Sequence, residues 1–281
     1  MTITYKKSKA AVILKILVVA SAVLVTGILI SLLLYIIIKG IVNLQPSLFE
    51  WEYNSKNVSM MPAIINTLTM IGISVSVASI LGVFSAIYLA EYAKRGSKLV
   101  KLIRMTTETL AGIPSIVFGL FGYLIFAYTF GFGYSMLGGA FTLALMILPL
   151  IIRTTEESLI AVPDLYREGS FGLGAGKLRT IFKIILPSAS TGILAGIILG
   201  VGRVVGETAA LLYTAGTVAG IPKSLMGSGR TLSVHMYALL SEGLYMGQAY
   251  ATALVLLVMV VGINLLSSVL AGKFTYKEKK L

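Results

Sequence analysis

The feature that most constrains this chain is a series of long apolar stretches. A helix needs about 20 mainly apolar residues to cross the hydrocarbon core of a bilayer. Runs such as 28–38 and 254–263 lack the alternation of apolar and polar residues that a membrane-spanning barrel strand requires. The sequence therefore predicts an all-α integral membrane protein with six transmembrane helices, at roughly 12–38, 62–90, 109–130, 135–152, 188–212 and 249–271.

Composition narrows the class of protein further. With 57% hydrophobic and 12% charged residues, the chain has too little ionic surface for a soluble domain of its size. It contains no cysteine and a single histidine, His235, so no disulfide, thiolate metal site or histidine metal cluster is predicted. The basic start resembles a signal peptide, but the apolar run after it is too long and has no clear cleavage site, which indicates a retained first helix.

The placement of basic residues predicts the orientation. If the N-terminus is inside, the cytoplasmic segments hold 18 of the 23 Lys and Arg residues, and the positive-inside rule then places both termini in the cytoplasm of a cell-membrane protein. These segments are 1–15, 91–104, 153–187 and 272–281. The same asymmetry explains the net charge of +12 without a nucleic-acid partner.

The cytoplasmic segment 153–187 is long for a helix connection and predicts short helices of its own. A first helix is predicted over 154–162, because acidic residues in its first turn complement the helix dipole. Pro163 ends it, Asp164 is a candidate N-cap for a second helix to Phe171, and glycines 172, 174 and 176 end that one. An amphipathic helix resumes at 177–186, so the tip near 170–174 should face the cytoplasm.

The residues of this segment resemble the signature loop of ABC importer permeases, in which Glu-Ala-Ala is followed by glycine, isoleucine and Leu-Pro at fixed spacing. The matching positions are Glu168, Gly174, Ile184, Leu186 and Pro187, with Gly169 and Ser170 in place of the two alanines. The resemblance implies a MetI-like core whose last five spans are shared with the family. It also implies that these seven residues belong to a coupling helix that docks on a separate ATP-binding subunit.

No motif in the chain predicts an enzyme. The nearest approach to a G-x-x-x-x-G-K-[ST] phosphate cradle, at Gly176 and Lys177, has Phe171 and Leu178 at two required positions. No paired carboxylates or nucleophile triad are indicated. We therefore expect no cofactor on this chain, with ATP and magnesium used by the partner subunit.

Two ionisable residues fall inside the fifth predicted span. Arg203 and Glu207 are four residues apart, so on one helix they should share a face and form an ion pair. The pair is either structural or part of an anion pathway, since ionisable groups at membrane depth usually face a bundle interior or a water-filled cavity. In the second case Arg203 would bind an oxyanion and Glu207 would accept the proton that hydrogen phosphate carries and sulfate lacks.

The stretch containing Arg203, Gly206, Glu207, Thr208 and Ala209 resembles the R-x-x-G-E-T-A segment of phosphate-specific ABC permeases of the PstA type. Residues 148–169 are similar to that family too, and the likeness covers about 59–272. It implies phosphate as cargo, with Arg203, Glu207 and Thr208 in the pathway. Arg153, at the cytoplasmic end of the fourth span, is a further pathway candidate or merely follows the positive-inside rule.

The predicted organisation is an N-terminal tail, first helix and outer loop (1–58), a permease domain (59–272) and a basic tail (273–281). The resemblance implies a second, non-identical permease (PstC-like), two ATP-binding subunits (PstB-like) and an extracytoplasmic phosphate-binding protein (PstS-like), assembled in membrane lipid. Three alternatives stay open. They are a permease for another oxyanion or small solute, a gradient-driven secondary carrier, and a membrane sensor or scaffold. The internal repeats that are typical of a secondary carrier are not visible in the sequence.

Overall fold

The computed structural model describes residues 9–94 and 96–278 of the chain. The regular secondary structure of that part is entirely helical, as predicted. The helices are α1 (Lys9–Val42), α2 (Met61–Ile87), α3 (Lys98–Ala111), α4 (Ser115–Gly122), α5 (Met136–Ile160), α6 (Asp164–Gly172), α7 (Lys177–Thr180), α8 (Leu186–Val205), α9 (Ala209–Thr214), α10 (Leu232–Glu242) and α11 (Met246–Glu278). Wider π-helical turns extend α2 to Tyr92 and α4 to Thr129, and another joins α7 to α8. The first eight residues of the predicted N-terminal tail and residues 279–281 of the basic tail lie outside the described residues.

Within the described ranges, five helices are long and apolar enough to cross a membrane. The third predicted span, 109–130, is not a straight helix. It is replaced by α3 and the extended α4, which meet at an angle of 105°. Pro114 explains the corner, because proline cannot donate a backbone hydrogen bond and its ring disfavours helical geometry at Ile113. Counting this bent pair as one span gives the predicted six.

α5 lies at the centre of the bundle, between α2 and α8. Small residues let the helices approach closely, which is the usual basis of helix packing in lipid. Gly192 and Gly196 of α8 pack against Ser158 and Thr154 of α5, and Gly82 of α2 packs against Ile151. Gly192 and Gly196 therefore serve the packing of α8 against α5.

α1 lies at the edge of the bundle, and its main neighbour is α11. Gly40 packs against Leu254, and the Tyr35 and Tyr250 hydroxyls are 3.1 Å apart. Most other side chains of α1 are exposed and apolar. In a bilayer this surface contacts lipid, which agrees with a first helix outside the shared core.

The connection formed by residues 153–187 is more continuous than predicted. The separate helix expected over 154–162 is the end of α5, which runs unbroken to Ile160. The helix after the loop runs from Lys177 to Val205 through a π turn at Ile181–Ile185. Pro187 accounts for that turn, because a proline within a helix clashes with the carbonyl four residues earlier and a wider turn relieves the clash.

Candidate functional site

The fifth spanning helix breaks at the position where the sequence predicts continuity. α8 ends at Val205, Gly206 follows as its C-cap, and α9 begins at Ala209. The Glu207 carboxylate is 8% exposed, and its Oε1 accepts a hydrogen bond from the Ala210 backbone N–H at 3.0 Å. Thr208 lies in the break, half-buried, with its hydroxyl 3.4 Å from the Gly206 carbonyl oxygen. The carboxylate therefore caps the short helix after the break.

The predicted ion pair between Arg203 and Glu207 is wrong. The helix ends between the two residues, so the geometry that brings residues four apart together is lost. Arg203, in the last turn of α8 and partly exposed, makes no ion pair with a carboxylate in the part of the chain that the structure describes. Arg203, which has no carboxylate partner among the described residues, therefore lies at the end of α8. The Glu207 carboxylate caps the start of α9.

The break is held from the outer side by residues far away in sequence. The Ser233 hydroxyl donates to the Glu207 carbonyl at 2.6 Å. The Thr67 hydroxyl accepts from the Leu232 backbone N–H at 2.8 Å, and the Asn66 amide donates to the carbonyls of Gly220 and Arg230, each at 3.1 Å. Asn66 and Thr67 of α2 therefore fix the segment that leads into α10.

Arg153 lies on the exposed side of α5, where its Nε donates to Glu157 Oε1 at 2.9 Å. Both side chains are more than half exposed, and an exposed pair of this kind contributes little to stability. The neighbouring Glu156 is buried and accepts from Nε and Nη2 of Arg104 at 2.8 and 2.6 Å. Arg104 therefore fixes α3 against α5.

The segment predicted to be the coupling loop is built around α6. Gly174 adopts φ +80°, a left-handed conformation. This conformation costs about 1–2 kcal/mol for a residue with a side chain, so a glycine is suited to the end of α6. The Ser170 hydroxyl is buried and lies 2.8 Å from that of Thr180, which joins α6 to α7. Glu168 and Gly169 are exposed, and Leu173 is 91% exposed.

The remaining signature residues lie where α7 leads into α8. Ile184, Leu186 and Pro187 are all partly buried. Ile184 and Leu186 pack on the apolar cluster that contains Leu159 and Ile185. Ile184 and Leu186 therefore pack the loop against the helical bundle, whereas Glu168 and Gly169 are exposed on its surface.

Arg167 is the functional residue that the sequence reasoning missed. Its Nε and Nη2 donate to Glu91 Oε1 at 3.1 and 2.7 Å, and its remaining bonds go to the carbonyls of Leu159 and Val162 and to the Asp164 carboxylate. Both Arg167 and Glu91 are largely buried. The available signal was Glu91 itself, an acidic residue at the cytoplasmic end of the second span among several basic ones.

A cavity of about 790 Å³ opens beside this ion pair. It lies between the C-terminal end of α2, the start of α3 and the connection from α5 to α6. Its charged lining residues are Glu91, Lys94, Arg104, Asp164, Arg167 and Lys177. The cavity and the exposed face of α6 lie at the same end of the helical bundle.

Residues 78–276 match the family described as "Binding-protein-dependent transport system inner membrane component". The chain belongs to this permease family. Among its relatives, a "Phosphate transport system permease protein PstA 1" of Mycobacterium tuberculosis is 35% identical over 77% of this chain and 71% of the relative. The "Probable ABC transporter permease protein YqgI" of Bacillus subtilis is 32% identical over 79% and 81%, and a PstA of Pasteurella multocida is 39% identical over 66% of each chain.

Solved structures show the same fold. A chain of the MetNI methionine ABC transporter in an inward-facing conformation superposes with a TM-score of 0.63 at 18% identity, covering 76% of this permease and 94% of that chain. A chain of a bacterial alginate ABC transporter gives a TM-score of 0.61 at 15% identity over 92% and 96%. The permease therefore has the predicted MetI-like architecture and is a multi-pass membrane component of an ABC transporter complex.

His235, the single histidine of the sequence, lies in α10, and its imidazole is 0% exposed. Burial lowers the pKa of His235 to about 3, the positive charge of Arg230 acts in the same direction, and the Val58 backbone acts weakly against them. The imidazole is therefore neutral at physiological pH.

This burial predicts a pH dependence of stability. Between pH 6.5 and 3 the unfolded chain protonates His235 and the folded permease does not, so the stability present above pH 6.5 falls as the pH falls. We expect a loss of about 2 kcal/mol by pH 5 from this group alone. Thermal unfolding of the purified permease and of His235→Gln across pH 5–8 tests this. The difference in melting temperature between the two proteins should change with pH. A difference that stays constant would contradict the prediction.

Proposed function

We propose that this permease translocates inorganic phosphate into the cell as one subunit of an ATP-driven importer. The observation that carries the proposal is the arginine at the broken spanning helix, which has no carboxylate partner among the described residues, in a chain whose relatives are named phosphate permeases. A cation at membrane depth that is not used in an internal ion pair is suited to an anionic cargo.

The separation of Arg203 from Glu207 supports a role in the pathway. An intact ion pair would have to be broken before the guanidinium could bind an anion, whereas here its planar set of donors needs no such step. Glu207 uses Oε1 to cap α9, and Oε2 has no hydrogen bond to a described residue. That oxygen can accept the proton of hydrogen phosphate. Sulfate carries no such proton, so its oxygen and Oε2 would be two hydrogen-bond acceptors facing each other, which disfavours the binding of sulfate.

Coupling to ATP would occur through α6. Its cytoplasmic surface exposes Leu165, Phe171 and Leu173, which are apolar groups suited to contact with a protein partner. The chain carries no nucleotide cradle, so ATP and magnesium would be bound by two PstB-like subunits. A PstC-like permease would complete the pathway, and a PstS-like protein would deliver phosphate from outside. Closure of the ATP-binding subunits would move α6 and open the pathway outward, with both termini of this chain in the cytoplasm.

The test is phosphate uptake by the complete transporter in vesicles. Arg203→Gln and Glu207→Gln should each reduce ATP-dependent uptake at least tenfold, because each removes a charge from the pathway while keeping a side chain of similar size. Glu207→Gln should also weaken the discrimination against sulfate. Lys223→Gln is the control, since it removes an exposed cation that lies outside the proposed pathway, and its uptake should stay within about twofold of wild type. Normal uptake by both pathway variants would contradict the assignment of the pathway.

A further inference from the structure

The outer loop between α9 and α10 buries a second arginine that lacks a carboxylate. Arg230 is 5% exposed, and among the described groups its Nε and Nη2 have no hydrogen-bond partner. Its backbone is fixed at both ends, because its N–H donates to the Val218 carbonyl at 2.9 Å and its carbonyl accepts from the Asn66 amide. The guanidinium carbon lies 4.8 Å from the centre of the Tyr53 ring.

In two other arginines of this chain, the edge of the guanidinium formed by Nε and Nη2 binds a carboxylate. Arg104 uses Nε and Nη2 together to hold one oxygen of Glu156, and Arg167 uses Nε and Nη2 to hold one oxygen of Glu91. This paired edge matches the oxygens of carboxylates and phosphates. In Arg230 the same edge is enclosed by protein, where an unpaired charge is costly.

His235 supplies a second polar group to the same place. Its ring stands edge-to-face to that of Tyr53, with centroids 6.2 Å apart, so Tyr53 contacts both the imidazole and the guanidinium. Neither ring nitrogen makes a hydrogen bond of ordinary geometry in the described part of the chain, and the Val58 backbone close by has only a weak influence on the imidazole. A neutral imidazole offers one donor and one acceptor. Val58, close to His235, has φ +47°, a strained value for a β-branched residue and of a kind that clusters at ligand sites.

We propose that Arg230, His235 and Tyr53 form a second oxyanion site, on the outer side, that holds hydrogen phosphate before it reaches Arg203. This inference rests on the proposed function. The Nε and Nη2 edge of Arg230 would donate to phosphate oxygens, and an imidazole nitrogen would accept the phosphate hydroxyl. Enclosure by protein favours a free anion over a lipid headgroup, whose acyl chains must stay in the bilayer. The site is linked to the break in the fifth span, because Ser233, on the same segment, donates to the Glu207 carbonyl.

Uptake kinetics of the complete transporter in vesicles give the first test. Arg230→Gln should raise the half-saturating phosphate concentration at least tenfold, and Arg230→Lys, which keeps the charge but not the paired edge, at least threefold. Lys223→Gln removes an exposed outer cation and is the matched control, with an unchanged half-saturating concentration. If wild type imports phosphate and Arg203→Gln does not, while both Arg230 variants match wild type, this inference fails and the proposed function stands. Absence of phosphate uptake by wild type would refute the proposed function itself.

A second test needs no substitution, because His235 is the single histidine of the chain. Its carbethoxylation by diethylpyrocarbonate can be followed by peptide mass spectrometry in the complete transporter during turnover. Saturating inorganic phosphate should slow the modification at least threefold, and sulfate should slow it less. Vesicles with and without phosphatidylglycerol distinguish free phosphate from a lipid phosphate. An equal rate with and without inorganic phosphate, or protection that follows the lipid instead, would overturn the proposal.

Discussion

Replacement of Arg167 by methionine is expected to reduce ATP-dependent phosphate uptake at least tenfold. The arginine holds α6 to the cytoplasmic end of α2 through Glu91 and to the end of α5 through two backbone carbonyls. Its removal leaves the Glu91 carboxylate buried without its cation, which costs about 3–5 kcal/mol for a buried pair. Movement of the ATP-binding subunits would then displace α6 without moving the spanning helices. ATP hydrolysis should therefore persist while uptake falls.

The controls separate this coupling effect from general damage. Arg179→Met removes an exposed cation from the neighbouring α7 and should leave uptake within about twofold of wild type. The double variant Glu91→Gln with Arg167→Met removes both charges, so it should recover part of the lost thermal stability. Wild-type uptake and melting temperature in Arg167→Met would show that the ion pair does not transmit the movement.

Replacement of Gly119 by alanine is expected to destabilise the permease by about 1–3 kcal/mol, the usual cost of overpacking. A methyl group at Gly119 of α4 would lie 2.8 Å from the Cα of Ala210 and 3.0 Å from its carbonyl oxygen. These are backbone atoms that cannot rotate away, so α9 would have to move. Because the Ala210 N–H binds the Glu207 carboxylate, uptake should fall several-fold as well.

Gly72→Ala provides the matched comparison. A methyl group at this position of α2 meets no atom within 4 Å, and alanine is the better helix former by about 1 kcal/mol. Thermal unfolding and phosphate uptake of the two variants should therefore separate clearly. Equal melting temperatures for Gly72→Ala and Gly119→Ala would mean that α4 and α9 do not pack as described.

Much of the fold could be predicted because membrane helices are specified by local properties. The length of the apolar runs placed most of the spans, and a short helix was predicted from Asp164 to Phe171, where the structure has α6. The corner at Pro114 was visible in principle, since proline disfavours helical geometry at the residue before it. The continuity of α5 to Ile160 was missed because polar residues in 153–157 were taken to mark the end of the span.

The candidate site was less predictable because it depends on contacts between distant parts of the chain. The break after Val205 separates Arg203 from Glu207, and it is held by Ser233, which lies 26 residues from Glu207. Arg167 and Glu91 are 76 residues apart, so no spacing rule joins them. The burial of His235 likewise follows from the packing of α10 and the outer loop.

The pairing of α1 with α11 has a consequence for biosynthesis. Of the described helices, α1 is synthesised before all the others, and its main neighbour α11 is synthesised after them. α1 must therefore stay in the bilayer without this neighbour while the helices between them are inserted and packed. The contact between α1 and α11 can form only at a late stage of folding.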